Sequence, residues 1–157
     1  MTQAAIKPSL ITEDKKVKTG VPPQRSKQDM DCLLVSCSEL VPIFTDALKL
    51  KCDESFLEES AISSIQKSIA RQMSGEGWAY KFVFVDLDDP TLMLGRFIVS
   101  LNKILQGSDG VQIDVFATSS TNSERMKKKC DELKVKFIAK PIFENKLRFQ
   151  LKSYLSK

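Results

Sequence analysis

The sequence predicts a doubly wound α/β fold: a five-stranded parallel sheet of the flavodoxin-like (βα)5 type, covered on both faces by helices as a three-layer sandwich. Three observations predict it. Short apolar runs rich in β-branched and aromatic residues recur between residues 32 and 139, and segments with helical apolar spacing follow them. The strand-then-helix order repeats five times, and parallel neighbours need such crossovers. Right-handed crossovers leave few topologies, among them the strand order 2-1-3-4-5.

Each element has its own warrant. Cys32-Leu33-Leu34-Val35 is a short apolar run that reads as a buried strand. Leu40, Ile43, Phe44, Ala47 and Leu48 then fall on helical spacing, with Pro42 in the first turn, where its missing N–H is tolerated. Ser55-Phe56-Leu57 reads as an edge strand. Ser60 is placed to cap a helix with the apolar face Ile62, Ile65, Ile69 and Met73, ended by Ser74-Gly75-Glu76-Gly77. Tyr80 to Val85 is dense in aromatic and β-branched residues and forms the clearest strand. Leu94, Phe97, Ile98, Leu101 and Leu105 mark the next helix, and Val111 to Ala117 the next strand. Thr121-Asn122-Ser123-Glu124 matches a capping box and opens a lysine-rich helix through Leu133. Val135 to Ala139 is the last strand. Phe143, Leu147, Leu151, Tyr154 and Leu155 form the face of a final helix.

A length of 157 residues suits one domain with an appendage. Residues 1–30 form a basic tail with Pro8, Gly20 and Pro22-Pro23 and no sustained apolar period. Such a segment is expected to be flexible, or ordered on a partner. Residues 31–157 form the folded domain. No apolar run reaches the roughly 18 residues of a membrane span, and no signal-peptide core is visible, so a cytoplasmic protein is expected. There Cys32, Cys37, Cys52 and Cys130 are expected as reduced thiols. The chain has no histidine, which excludes histidine metal sites, Ser–His or Cys–His catalysis and a phosphohistidine step. The net charge of +4 is uneven: residues 1–31 carry +2, residues 32–122 carry −5 and residues 123–157 carry +7.

In a sheet of this kind, ligands sit outside the carboxyl ends of the strands. Those ends carry Ser36-Cys37, Asp86, Thr118 and Lys140-Pro141. A carboxylate, a hydroxyl and an ammonium converging on one crevice suit phosphoryl chemistry, the carboxylate attacking phosphorus and the other two holding its oxygens. Each residue alone has a blander use as a turn, cap or solvated group.

The segments VFVDLDDP, VFATSS and FIAKPIF, in this order and each at a strand end, resemble the signatures of response-regulator receiver domains over residues 32–157. The resemblance implies that Asp86 is the phosphoacceptor, Thr118 the switch hydroxyl, Lys140 the conserved lysine and Phe137 the aromatic switch. It also implies a cis Lys140–Pro141 peptide. Two departures stand out. The acidic pair that joins the phosphoacceptor in binding Mg²⁺ is replaced by Ser36 and Cys37, and one residue is inserted between Pro90 and Gly95. Magnesium takes hard oxygen ligands, so Asp86 with Ser36 and Cys37 is a poor set, even with Asp88 nearby.

The expectation is therefore a non-catalytic pseudo-receiver, serving protein–protein interaction or scaffolding in a larger assembly or signalling complex, with no cofactor. The alternative is an active phosphoacceptor of a two-component phosphorelay, with Asp86 phosphorylated and Mg²⁺ bound. A third reading is a dehalogenase-type phosphatase with Asp86 as nucleophile and Asp88 as general acid, opposed by Asp89-Pro90 and by the lack of a downstream acidic pair. Receivers communicate through the fourth helix, fifth strand and fifth helix. That stretch holds Arg125, Lys127, Lys128, Lys129, Lys134 and Lys136, so an acidic protein surface is the expected partner, with the tail ordered on it. Nucleic acid is disfavoured, because the chain has no reader motif and its aromatics are committed to the core.

Overall fold

A computed structural model describes residues 29–155. Five strands run parallel: β1 (Cys32–Val35), β2 (Cys52–Ser55), β3 (Phe82–Asp86), β4 (Asp114–Ser119) and β5 (Lys136–Ala139). Their order across the sheet is β2-β1-β3-β4-β5, as expected. The helices are α1 (Glu58–Met73), α2 (Leu94–Gln106), α3 (Glu124–Glu132) and α4 (Glu144–Gln150).

Period-two alternation sorts the strand residues into two cores, although both faces are buried. Leu33, Val35, Val83, Val85, Val115 and Ala117 face α1, α2 and α3, meeting Ile65, Phe97 and Leu101. Leu34, Phe82, Phe84 and Phe116 face the other way, onto Phe44, Leu147 and Leu151. Rings dominate this second core. Phe44 lies edge-on to Phe84, with centroids 5.6 Å apart, and Phe82 meets Tyr154 at 4.7 Å.

Helix α2 follows the predicted spacing, burying Leu94, Phe97, Ile98 and Leu101. In α1 the buried stripe is Ala61, Ile65, Ser68 and Ile69, while Met73 is exposed. The helix begins at Glu58. Ser60 lies inside its first turn, donating to the Leu57 carbonyl. The helix α3 cap is Ser123, whose hydroxyl accepts from the Met126 N–H at 3.1 Å; Thr121 lies outside the helix.

The helix expected over residues 40–50 is irregular. A 3-10 turn at Ser38–Leu40 leads into a wide turn at Ile43–Ala47, where the Leu48 N–H reaches back to the Ile43 carbonyl. Pro42 supplies no donor within it, and Lys49 closes it with φ at 59°. Leu40, Phe44 and Leu48 still face the sheet, so the apolar spacing correctly marks the buried side.

Strand β2 lies earlier than the Ser55-Phe56-Leu57 run. Its register pairs Cys32 with Cys52 and Val35 with Ser55, so it ends where β1 ends. Phe56 and Leu57 stay exposed. The edge position explains this: a strand with one covered flank needs little apolar sequence. Strand β4 also starts and ends later than expected, with Val111 and Ile113 buried in its approach.

The expected tail over residues 1–30 lies almost wholly outside the described residues. Asp29, however, already belongs to the folded unit. It is fully buried, accepts from the Trp78 N–H at 3.2 Å and pairs with Arg71 at 3.3 Å. All four cysteines are free thiols. No helix among the described residues is long and apolar enough to cross a membrane.

Candidate functional site

The carboxyl ends of β1, β3, β4 and β5 meet at one edge of the sheet, where parallel pairing aligns Asp86 with Thr118. Asp86 is 6% exposed at the end of the buried β3 run. One of its carboxylate oxygens accepts the Asp88 N–H at 2.9 Å. The other lies 2.8 Å from the Lys140 ammonium. Lys140 reaches the site from the end of β5, just before a cis peptide to Pro141, and it also lies 3.0 Å from Asp88. The structure thus brings Asp86 and Lys140, two of the three residues expected at one crevice, into contact and adds Asp88, which the sequence had placed only nearby.

Asp88 is held from three sides. Ser119 donates its hydroxyl at 2.7 Å and the Ser120 N–H donates at 3.0 Å, with Lys140 on the remaining flank. Burial alone would raise this carboxyl, but the bonds from Ser119, Lys140 and Ser120 outweigh it and hold it well below the usual carboxylate range. Lys140 shows the converse balance. Burial works against its charge, and Asp86 and Asp88 together push it above the ordinary lysine value.

Thr118 is fully buried, and its hydroxyl has no hydrogen-bond partner among the described residues. Such an orphan is uncommon in a folded interior. Phe137 is half-buried against the core that holds Cys130 and Val135.

At the end of β1, Ser36 takes a left-handed conformation with φ at 61° and donates its hydroxyl to Asp89 at 2.6 Å. Asp89 also accepts from the Thr91 hydroxyl and N–H, and the Ser36 and Thr91 bonds keep it ionised below the usual range. Cys37 is buried, its thiol donating to the Val35 carbonyl at 3.2 Å. Burial, reinforced by Asp86 and Glu39, pushes that thiol far above its ordinary value, so it stays protonated at neutral pH.

This donor set does not fit magnesium in the receiver manner. A hard cation would find a neutral hydroxyl already committed to Asp89 and a protonated thiol where a carboxylate pair is needed. Among the described residues no cluster of three or more metal-ligating side chains occurs. Ser119 is the member of the site that sequence reasoning missed, and Asp89 was read only as a neighbour whose partners, Ser36 and Thr91, the sequence does not reveal. The Ser119-Ser120 pair directly after β4 is the signal that could have found the first.

The six cations expected to form a docking face have different local surroundings. Arg125, Lys128 and Lys129 line a cleft between α3 and α2. Lys127 pairs loosely with Glu124, at 3.8 Å. Lys134 caps the turn after α3 with φ at 60°. Lys136 lies over the Phe116 ring at 5.2 Å, on the sheet face away from α3.

No family model matches the chain. No curated protein matches it by sequence. Solved structures do. The chain is similar to a mutant receiver domain of a histidine kinase from Arabidopsis thaliana, at 15% identity and a TM-score of 0.61, over 79% of this chain and 89% of that one. It is similar to a response regulator in red light signaling of R. palustris, at 17% identity and a TM-score of 0.51, over 79% and 90%. A response regulator receiver protein from Burkholderia phymatum aligns at 9% identity and a TM-score of 0.55, over 78% and 93%. At these identities the likeness concerns the fold, and it agrees with the strand order β2-β1-β3-β4-β5. The chain has the fold of the response-regulator receiver domains.

Proposed function

We propose that the chain is a pseudo-receiver: a binding or scaffolding module that keeps the receiver architecture and does not run an efficient phosphorylation cycle. One observation carries this reading. Where a receiver needs two carboxylates beside its phosphoacceptor, this chain has a hydroxyl bonded to Asp89 and a buried protonated thiol. The charge of an incoming phosphoryl group would have to be met by Lys140 alone, and Lys140 is already shared between Asp86 and Asp88. The partner class that suits the basic α3–β5–α4 stretch is a protein with an acidic surface.

The phosphoacceptor alternative is favoured by Thr118. Its orphaned hydroxyl lies in register with Asp86, as a phosphoryl-binding switch would require. The phosphatase reading fares worse. A general acid needs a proton to deliver, and Asp88 is held as a carboxylate. The test is incubation of the full chain with acetyl phosphate and Mg²⁺, followed by intact mass. The reading expects no phosphoryl adduct. An adduct lost in Asp86→Asn would overturn it in favour of the alternative.

A further inference from the structure

Helices α2 and α3 do not close against each other at the end nearest the site. Between them lie two adjoining hollows of about 350 Å³ each, sharing Gly95 and Lys129. The first has an apolar floor, including Leu87, Leu92, Leu94 and Met126. The second is rimmed by Arg125, Lys128 and Lys129, with Glu132 as the opposing charge. Arg96, on the α2 side, is already engaged by Glu58 at 2.8 Å. An apolar trough beside an excess of cations without ion-pair partners among the described residues suits a ligand with apolar side chains flanked by carboxylates.

We propose that this α2–α3 cleft is a docking groove for an acidic, amphipathic peptide segment of a partner protein. The proposal rests on reading the chain as a binding module, and it is independent of the state of Asp86. Charge decides between occupants. Residues 1–28 carry six Lys/Arg against two Asp/Glu, so the chain's own tail would meet the cationic rim with like charge. A segment supplied in trans with Asp or Glu meets it with opposite charge. Gly95 keeps the groove open: a Cβ there would touch nothing within 4 Å. A side chain at this position starts from an unobstructed Cβ at the residue the two hollows share.

The experiment selects binders to the full chain from a phage-displayed library of random peptides. The enriched sequences are then measured by fluorescence anisotropy and by amide NMR. The expected result is an apolar pair flanked by Asp or Glu, with saturable shifts at Leu92, Leu94 and Met126. Affinity should fall at least about tenfold, or roughly 1.4 kcal/mol, in Gly95→Phe. Lys128 and Lys129 are exposed, so Lys128→Glu with Lys129→Glu repeats the test without touching the core. Failure to enrich any peptide, selection of neutral or basic sequences, or equal affinity in these variants would overturn the proposal. So would nuclear Overhauser contacts from the groove to residues 1–28, which would seat the tail there. A dimer abolished by Gly95→Phe would instead make a second copy the occupant. Shifts confined to β5 and α4 would remove the groove while leaving the binding-module reading intact.

Discussion

Replacing Lys140 with Met removes the ammonium that joins Asp86 to Asp88 while keeping most of the aliphatic stem. In the wild type that ammonium lies 2.8 Å from one carboxylate and 3.0 Å from the other. Without it, two like charges share a crevice in which the Asp86 side chain is 9% exposed. At about 5 Å and an effective dielectric near 20, such a pair repels by roughly 3 kcal/mol. Asp88 is open on its outer side, and solvent there reduces the figure, so the expected destabilisation at pH 7 is about 2 kcal/mol. The pH dependence has a definite sign. Asp88 is depressed in the folded wild type, so its contribution is present above the unfolded carboxylate value near 4 and is lost as pH falls below it. In the variant, repulsion raises the carboxyls, and one takes up a proton at mildly acidic pH, relieving the strain. The gap between wild type and Lys140→Met should therefore shrink between pH 7 and pH 4.5. Urea unfolding at both pH values measures it. A loss below about 0.5 kcal/mol at pH 7, or a gap that widens on acidification, would refute the reasoning.

Two glycines should respond oppositely to alanine. At Gly77 a Cβ would lie 2.5 Å from the Asp29 carboxylate, which is buried and tied to Trp78 and Arg71, so Gly77→Ala should cost about 1–3 kcal/mol. Gly95→Ala, in the open first turn of α2, should be neutral or stabilising by a few tenths of a kcal/mol up to about 1. Thermal unfolding of both checks the contrast. Rebuilding the acidic pair as Ser36→Asp with Cys37→Asp should crowd negative charge around Asp86 and lower the melting temperature in chelator. Millimolar Mg²⁺ should restore it, while the wild-type melting temperature should not respond to Mg²⁺; calorimetry with and without metal separates the two.

Strands β3 and β4 were legible because they are buried on both faces, so their sequences carry continuous apolar signal. Strand β5, at the other edge of the sheet, was legible from its aromatic and β-branched run of Val135, Phe137 and Ile138 despite an exposed Lys136. Strand β2 was not, because as an edge strand it tolerates Cys-Asp-Glu-Ser, and the apolar Phe56-Leu57 beside it drew the assignment away. The segment after β1 kept its apolar face but not its helical regularity, which Pro42 compromises. At the site, Asp88 could be named only as a neighbour, whereas Asp86, Thr118 and Lys140 could be read from strand ends. The roles of Ser119 and Asp89 could not, because each depends on the side-chain hydrogen bonds it makes: Ser119 to Asp88, Asp89 to Ser36 and Thr91. Asp29 read as tail because its partners, Arg71 and Trp78, lie more than forty residues away in sequence. No local pattern announces such a contact.

The central claim is that the crevice keeps receiver geometry without receiver chemistry. The most direct test is a beryllofluoride titration of the full chain in millimolar Mg²⁺, followed by the amide resonances of Asp86, Thr118 and Lys140. The account predicts no saturable shift at these positions. Saturable shifts that vanish in Asp86→Asn would show a working phosphoryl site and contradict it.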